Sequence, residues 1–179
     1  MNNEKKEELK VFGATIQGFA RAYINLEIIA GSKVKNLISD VEVNEWYPFE
    51  ILRELEGIVI KHYKSVEPIL ERIGMEMMLI WYKFGPGKEI IDEGADFLSF
   101  QSGSQGYISV VKGPEEIVGS FKLVKIDKDK GEALIHSTTP FNKNLERGII
   151  IGGMSAPGDL NYIDVNNDKD EQYFEIKFH

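Results

Sequence analysis

The side chains in this chain best suited to chemistry are few and scattered. Its three histidines, His62, His136 and His179, stand far apart with no motif around them. They read as surface or satisfied residues, not metal ligands or general bases. Carboxylates are plentiful, Asp92-Glu93 and Glu115-Glu116 among them. Adjacent acids at a turn or on a helix surface are ordinarily solvated, and no spacing assigns an acid and base pair. The absence of cysteine excludes disulfides, thiolate zinc sites, iron–sulfur clusters and cysteine nucleophiles. Asp164, Asn166, Asp168, Asp170 and Glu175 match the oxygen-ligand positions of a calcium loop, but Lys169 stands where that loop needs glycine. The flanks alternate like strands, so a solvated hairpin loop is expected there. No catalytic residue, cofactor or metal is assigned, and an enzyme is not the expected function.

One group of residues suits binding better than reaction. Met75, Met78, Trp81, Tyr82, Phe97 and Phe100 are close in sequence and supply bulky, adaptable apolar surface. Thioethers and aromatic rings suit a small apolar ligand with a few polar handles. These six are the candidate ligand pocket.

The elements that position them follow from periodicity. Residues 12–19, with two glycines, suggest an extended opening segment, followed by short helices over 20–29 and 32–41 with Ser32 as an N-cap. Trp46-Tyr47-Pro48 suggests the opening turn of a helix over 48–62, whose Ile51, Leu52, Leu55, Ile58 and Val59 recur at helical spacing. Glu50, Arg53, Glu54 and Glu56 are placed on its other side. A second long helix runs from about Ser65, its N-cap, to Gly85-Pro86-Gly87, and 88–100 is again helical in pattern. After Gly113-Pro114 the pattern alternates, predicting strands over 117–126, 132–138, 160–165 and 173–178, with a helix over 142–154 between the second and third. The expected fold is α+β: a helical N-terminal half (1–112) on a four-stranded antiparallel sheet of β-β-α-β-β order (113–179), all one domain over 1–179.

Composition bounds the partners. With 29 acidic against 21 basic residues the formal charge is −8, which argues against nucleic-acid binding. The 42% hydrophobic content of 179 residues supports a sizeable core. The longest apolar run, 77–82, is too short to span a membrane, and the charged N-terminus carries no secretory signal, so a cytoplasmic location is expected.

At 134–153, LIHSTTPFNKNLERGIIIGG, a strand ends in polar residues, Pro140-Phe141 follows, and a helix carries Gly148-x-x-x-Gly152 before the closing hairpin. This pattern resembles the ligand-binding fold shared by haem nitric-oxide/oxygen-binding domains, four-vinyl-reductase-type domains and TRAPP-type transport-particle subunits. Trp46-Tyr47-Pro48 and Ile73-Gly74 are similar to a related group of uncharacterised bacterial proteins, many of them myxobacterial. The resemblance implies a cavity between helices and sheet. In the haem-binding branch it also implies a histidine ligand on a helix and a Tyr-x-Ser-x-Arg motif that holds the haem propionates. Here Ile135 stands for the tyrosine, Ser137 is retained, Thr139 stands for the arginine, and residues 96–111 contain no histidine. Haem bound in that manner is not expected. Gly148 and Gly152 are expected to pack closely on the sheet. The function expected is a sensory or small-molecule-binding domain without haem, forming a homodimer through helices such as 48–62. A transport-particle-type scaffold is the alternative; a haem gas sensor, or an enzyme on a small aromatic substrate, ranks behind both.

Overall fold

The computed structural model describes residues 8–28 and 31–179. Its first part comprises β1 (Lys10–Phe12), α1 (Gly13–Asn25), α2 (Gly31–Ile38), β2 (Trp46–Pro48), α3 (Glu50–His62), α4 (Glu67–Phe84), α5 (Gly87–Ile90), α6 (Asp96–Ser102), a 3-10 turn (Tyr107–Ser109) and β3 (Val111–Lys112). A one-turn helix, α7 (Glu115–Val118), leads into β4 (Phe121–Asp127), β5 (Glu132–Ser137), α8 (Lys143–Ser155), β6 (Ile163–Asn166) and β7 (Tyr173–Phe178). The last five form the expected β-β-α-β-β order, with an antiparallel sheet in the order β4-β5-β7-β6. The architecture is therefore α+β, as the patterning predicts.

Alternation decides which face of this sheet is covered. Phe174, Ile176 and Phe178 are buried while Tyr173, Glu175 and Lys177 between them are exposed. The register sets Phe174 beside Ile135, and Ile176 between Ala133 and Val165, so the apolar rows merge into one inner surface. Helix α8 adds Leu145, Ile149, Ile150 and Met154 to the same core. Gly131 closes the β4–β5 turn with a φ of 64°, and its carbonyl accepts the Phe178 N–H at 2.8 Å.

The glycine pair of α8 faces a helix, not the sheet. An added Cβ on Gly148 would stand 2.7 Å from the carbonyl carbon of Glu71, and one on Gly152 would stand 2.6 Å from the Cα of Met75. Gly74 of α4 answers from the other side, where a Cβ would reach 2.7 Å from the Ile149 nitrogen. Backbones thus approach directly, glycine against main chain, and Arg147 pairs with Glu71 across the same seam. This corrects the expectation of glycine packing on the sheet, because both glycines lie on the α4 side of α8.

Other boundaries also differ. The expected extended stretch 12–19 is mostly α1, because Ile16, Phe19, Ala20 and Tyr23 recur at helical spacing and are all buried. Trp46-Tyr47-Pro48 is strand β2, in the order β2-β1-β3; as an edge strand it tolerates a proline that lacks an N–H. The single helix expected over 88–100 is broken by extended Ile91 into α5 and α6. Helix α4 starts at Glu67 with no side-chain cap, so Ser65 is not its N-cap. The first strand of the larger sheet begins at Phe121, since residues 115–118 form α7. The N-cap role of Ser32 lies outside the described side chains. Among the described residues no helix is long and apolar enough to cross a membrane.

Candidate functional site

The end of β5 delivers polar side chains into the interior. Strand alternation turns Ile135 and Ser137 inward and His136 outward, where its ring lies 4.7 Å from that of Tyr173. Two residues on, Thr139 is buried as well, and Phe141 fills the corner between Phe49 and Tyr107, at ring distances of 5.6 and 5.9 Å. Asn142 then caps α8, its side chain accepting the Asn144 N–H at 2.9 Å. The first turn of α8 thereby points Lys143 and Glu146 back at the end of β5.

These residues close on one carboxylate. Glu146 is 2% exposed; its Oε1 accepts the Ser137 hydroxyl at 2.6 Å and the Thr139 hydroxyl at 2.8 Å, and its Oε2 accepts the Lys143 ammonium at 2.7 Å. Lys143 also donates to the Ser137 carbonyl at 3.2 Å and to its hydroxyl oxygen at 3.1 Å. Two hydroxyls and an ammonium are the donors a buried carboxylate needs, and a helix N-terminus suits a negative charge. Tyr107 is buried nearby and gives its hydroxyl hydrogen to the Val118 carbonyl. Burial, with the Glu146 charge in support, raises its phenol above the usual range.

A second buried carboxyl lies one helix away. Glu56 is 9% exposed, where the helical pattern predicts the outer side of α3; it shares the buried stripe with Leu52 and Val59. Its Oε1 is buried without a hydrogen-bond partner. Burial pushes its pKa up to about 7, against the smaller opposing pull of the Asn142 N–H and Arg53.

The six expected pocket residues divide into two groups. Trp81, Phe97 and Phe100 form an aromatic cluster, with the Trp81–Phe100 rings stacked at 5.2 Å and the other two ring pairs at 6.3 Å. The Phe97 ring is buried over Gly153, where a Cβ would strike it. Met78 and Tyr82 are partly buried against the core, and Met75 lies at the α8 crossing, its backbone against Gly152. A separate concavity of about 260 Å³ opens on the outer side of the sheet between Leu134, Tyr173 and the β6–β7 loop. None of the six expected residues lines it.

The remaining candidates are occupied locally. The Nδ1 of His62 lies 2.7 Å from the Ile58 carbonyl, and His179 stacks on Tyr162. In the calcium-like loop Lys169 holds both oxygens of Glu175, at 2.8 and 2.9 Å, so the residue in the glycine position neutralises the last ligand. No group of three or more His, Asp or Glu side chains that could hold a metal occurs among the described residues. Of the four acids considered for acid–base work, Glu93 pairs with Lys128 at the surface, and the other three are exposed.

No protein-family model and no curated protein sequence matches the chain. Solved structures do. An oxygen-binding H-NOX domain related to soluble guanylate cyclases, in its oxygen complex, is 14% identical with a TM-score of 0.63; the match covers 93% of this chain and 94% of that one. An H-NOX protein from S. oneidensis in an Fe(II)NO state is 8% identical with a TM-score of 0.66, over 94% and 98%. A mutant H-NOX protein from K. algicida, Fe(II) and unliganded, is 11% identical with a TM-score of 0.66, over 94% and 96%. At these identities the likeness is one of fold: the chain has the H-NOX fold.

Positions 96–111, where the resemblance puts the iron ligand, contain no histidine, and the three histidines present lie at the end of α3, on the outer face of β5 and at the C-terminus. The hydroxyls of Ser137 and Thr139, which the sequence resemblance sets against the propionate anchor, are committed to Glu146. Sequence reasoning missed Lys143, Glu146 and Glu56. The available signals were the Lys143-x-x-Glu146 spacing beside Ser137-x-Thr139, and an acid on an apolar helical stripe.

Proposed function

We propose that this chain is a single sensory domain of H-NOX fold that binds a small, largely apolar molecule in place of haem. One observation carries the reading: a carboxylate of the chain itself, Glu146, occupies the hydroxyl and ammonium donors that a haem propionate would require. An incoming propionate would have to displace a buried, fully paired ion, at a cost of several kcal/mol. With no arginine at position 139, no bidentate anchor offsets that cost. The apolar ligand surface is assigned to Trp81, Phe97 and Phe100 with Met75, Met78 and Tyr82 beside them, where α4 and α6 meet.

Native mass spectrometry of the purified chain before and after organic extraction tests this. A retained small molecule whose removal lowers the melting temperature, with quenching or a shift of Trp81 fluorescence on its return, is the expected result. A clean apo mass, with no stabilisation by a panel of hydrophobic metabolites and fatty acids, would refute ligand binding. It would favour a scaffold role for the same fold.

A further inference from the structure

The geometry points to a binding site for a single sugar ring on the outer face of the larger sheet, in the concavity of about 260 Å³ between β5, β7 and the β6–β7 loop. That volume lies just under the ~300–1,000 Å³ of pockets for drug-sized ligands, so the occupant is small. Its apolar wall is made by Leu134 and Tyr173. Leu134 is a half-buried aliphatic side chain on the outward side of β5, and Tyr173 is its diagonal neighbour on β7, steadied by the His136 ring at 4.7 Å. An aromatic ring beside an aliphatic side chain suits the C–H face of a pyranose, whose slightly positive hydrogens meet the negative face of the ring.

The polar rim is oriented in advance and keeps hydrogen-bonding capacity to spare. The Asn166 side-chain oxygen accepts the Asp168 N–H at 2.8 Å and its amide nitrogen donates to Asp168 Oδ2 at 3.2 Å, which fixes the amide and leaves it a further donor and a further lone pair. Such a pair matches vicinal hydroxyls, each of which both donates and accepts. Asp170 Oδ1 accepts the Gln172 N–H at 2.9 Å, and the Asp170 carbonyl accepts the Tyr173 N–H at 2.9 Å, tying the loop to β7 beside the aromatic wall. Glu175 stands between Leu134 and Asn166 in the sheet register, and Lys169 donates to its two oxygens at 2.9 and 2.8 Å. The lysine thus supplies the cation that this calcium-like loop lacks a glycine to wrap. Asp170 adds a negative charge, which disfavours an anionic ligand. An uncharged polyol is the class that fits both the wall and the rim. The inference is independent of the apolar ligand assigned to Trp81, Phe97 and Phe100, none of which lines this concavity.

The test is a titration of the full chain with the methyl pyranosides of glucose, galactose and mannose and with myo-inositol, followed by the backbone amide signals in NMR. For at least one ring the amides of Leu134, Asn166 and Tyr173 should shift and saturate, with a Kd of about 1 mM or below. Tyr173→Ala and Asn166→Ala should each weaken that binding about tenfold or more. Lys177→Ala, exposed on the same side of β7 but outside the concavity, should leave it unchanged. Oligosaccharides ending in the preferred ring separate the two sources of this chemistry: tighter binding than the methyl glycoside assigns the site to a glycan, equal binding to a free sugar. The proposal is overturned if no ring moves these amides, if the shifts fall on the Trp81 cluster instead, or if glycerol acts as strongly as the pyranosides. Should Tyr173→Ala not fold, Asn166→Ala and Asp170→Asn decide, and unaltered affinity in both contradicts the site.

Discussion

Replacing Gly148 by alanine separates backbone-to-backbone contact from mere tolerance of glycine in a helix. In α8 an isolated Gly→Ala change would stabilise by about 1 kcal/mol through helix propensity. At this position the new methyl would overlap the Glu71 carbonyl group and stand 2.9 Å from its Cα, all of it main chain that cannot rotate away. Helices α4 and α8 must then part, loosening Leu70 and Ile73 against Leu145 and Ile149. Overpacking of this kind costs about 1–3 kcal/mol and more where backbone must move, so the net loss expected is about 2 kcal/mol. Gly57→Ala is the internal control, because a Cβ there meets nothing within 4 Å and only the propensity gain remains. Urea denaturation followed by far-UV circular dichroism reads both. The midpoint should fall for Gly148→Ala and rise for Gly57→Ala, with slopes unchanged. A Gly148→Ala variant as stable as the wild type would show that the α4–α8 crossing is not the close contact described.

Glu146→Ala leaves the Lys143 ammonium without its carboxylate counter-ion and the Ser137 and Thr139 hydroxyls without their carboxylate acceptor in a buried corner, and should cost about 3–5 kcal/mol in the same denaturation assay. Added acetate should recover part of that loss, whereas chloride at equal ionic strength should not. For Glu56 the folded-state pKa of about 7 lies above the ordinary value of 4.5, so its contribution is fully present below pH 4.5 and is lost as pH rises through 7. The difference in unfolding free energy between wild type and Glu56→Gln should therefore shift against the wild type by about 3 kcal/mol between pH 4.5 and pH 8. Lys128→Ala removes two solvent-exposed pairs, to Glu93 and Asp96, and should cost less than about 1 kcal/mol, vanishing in high salt.

Much of the fold was legible because it rests on periodicity. The alternation of Phe174, Ile176 and Phe178 places β7 to the residue, and the stripe from Leu52 to Val59 marks α3. Short elements were not legible: β1, β2 and β3 are too brief to show a period, and they exist because distant segments pair. Glu56 went unrecognised for a related reason. Its charge argues for the surface, yet it falls on the stripe with Leu52 and Val59, where burial raises its pKa to about 7 and leaves Oε1 without a partner. The Glu146 cage was half visible. Ser137 and Thr139 could be aligned with an anchor motif, but a sequence does not say that the carboxylate they hold comes from the same chain.

The central claim is that Glu146 stands in for the carboxylate of a haem. Its most direct test is an absorption spectrum of the chain purified from cells supplied with a haem precursor and then titrated with haem in vitro. The account predicts no Soret band that survives gel filtration and no saturable one-to-one complex. A stoichiometric haem complex with a Soret band would contradict it.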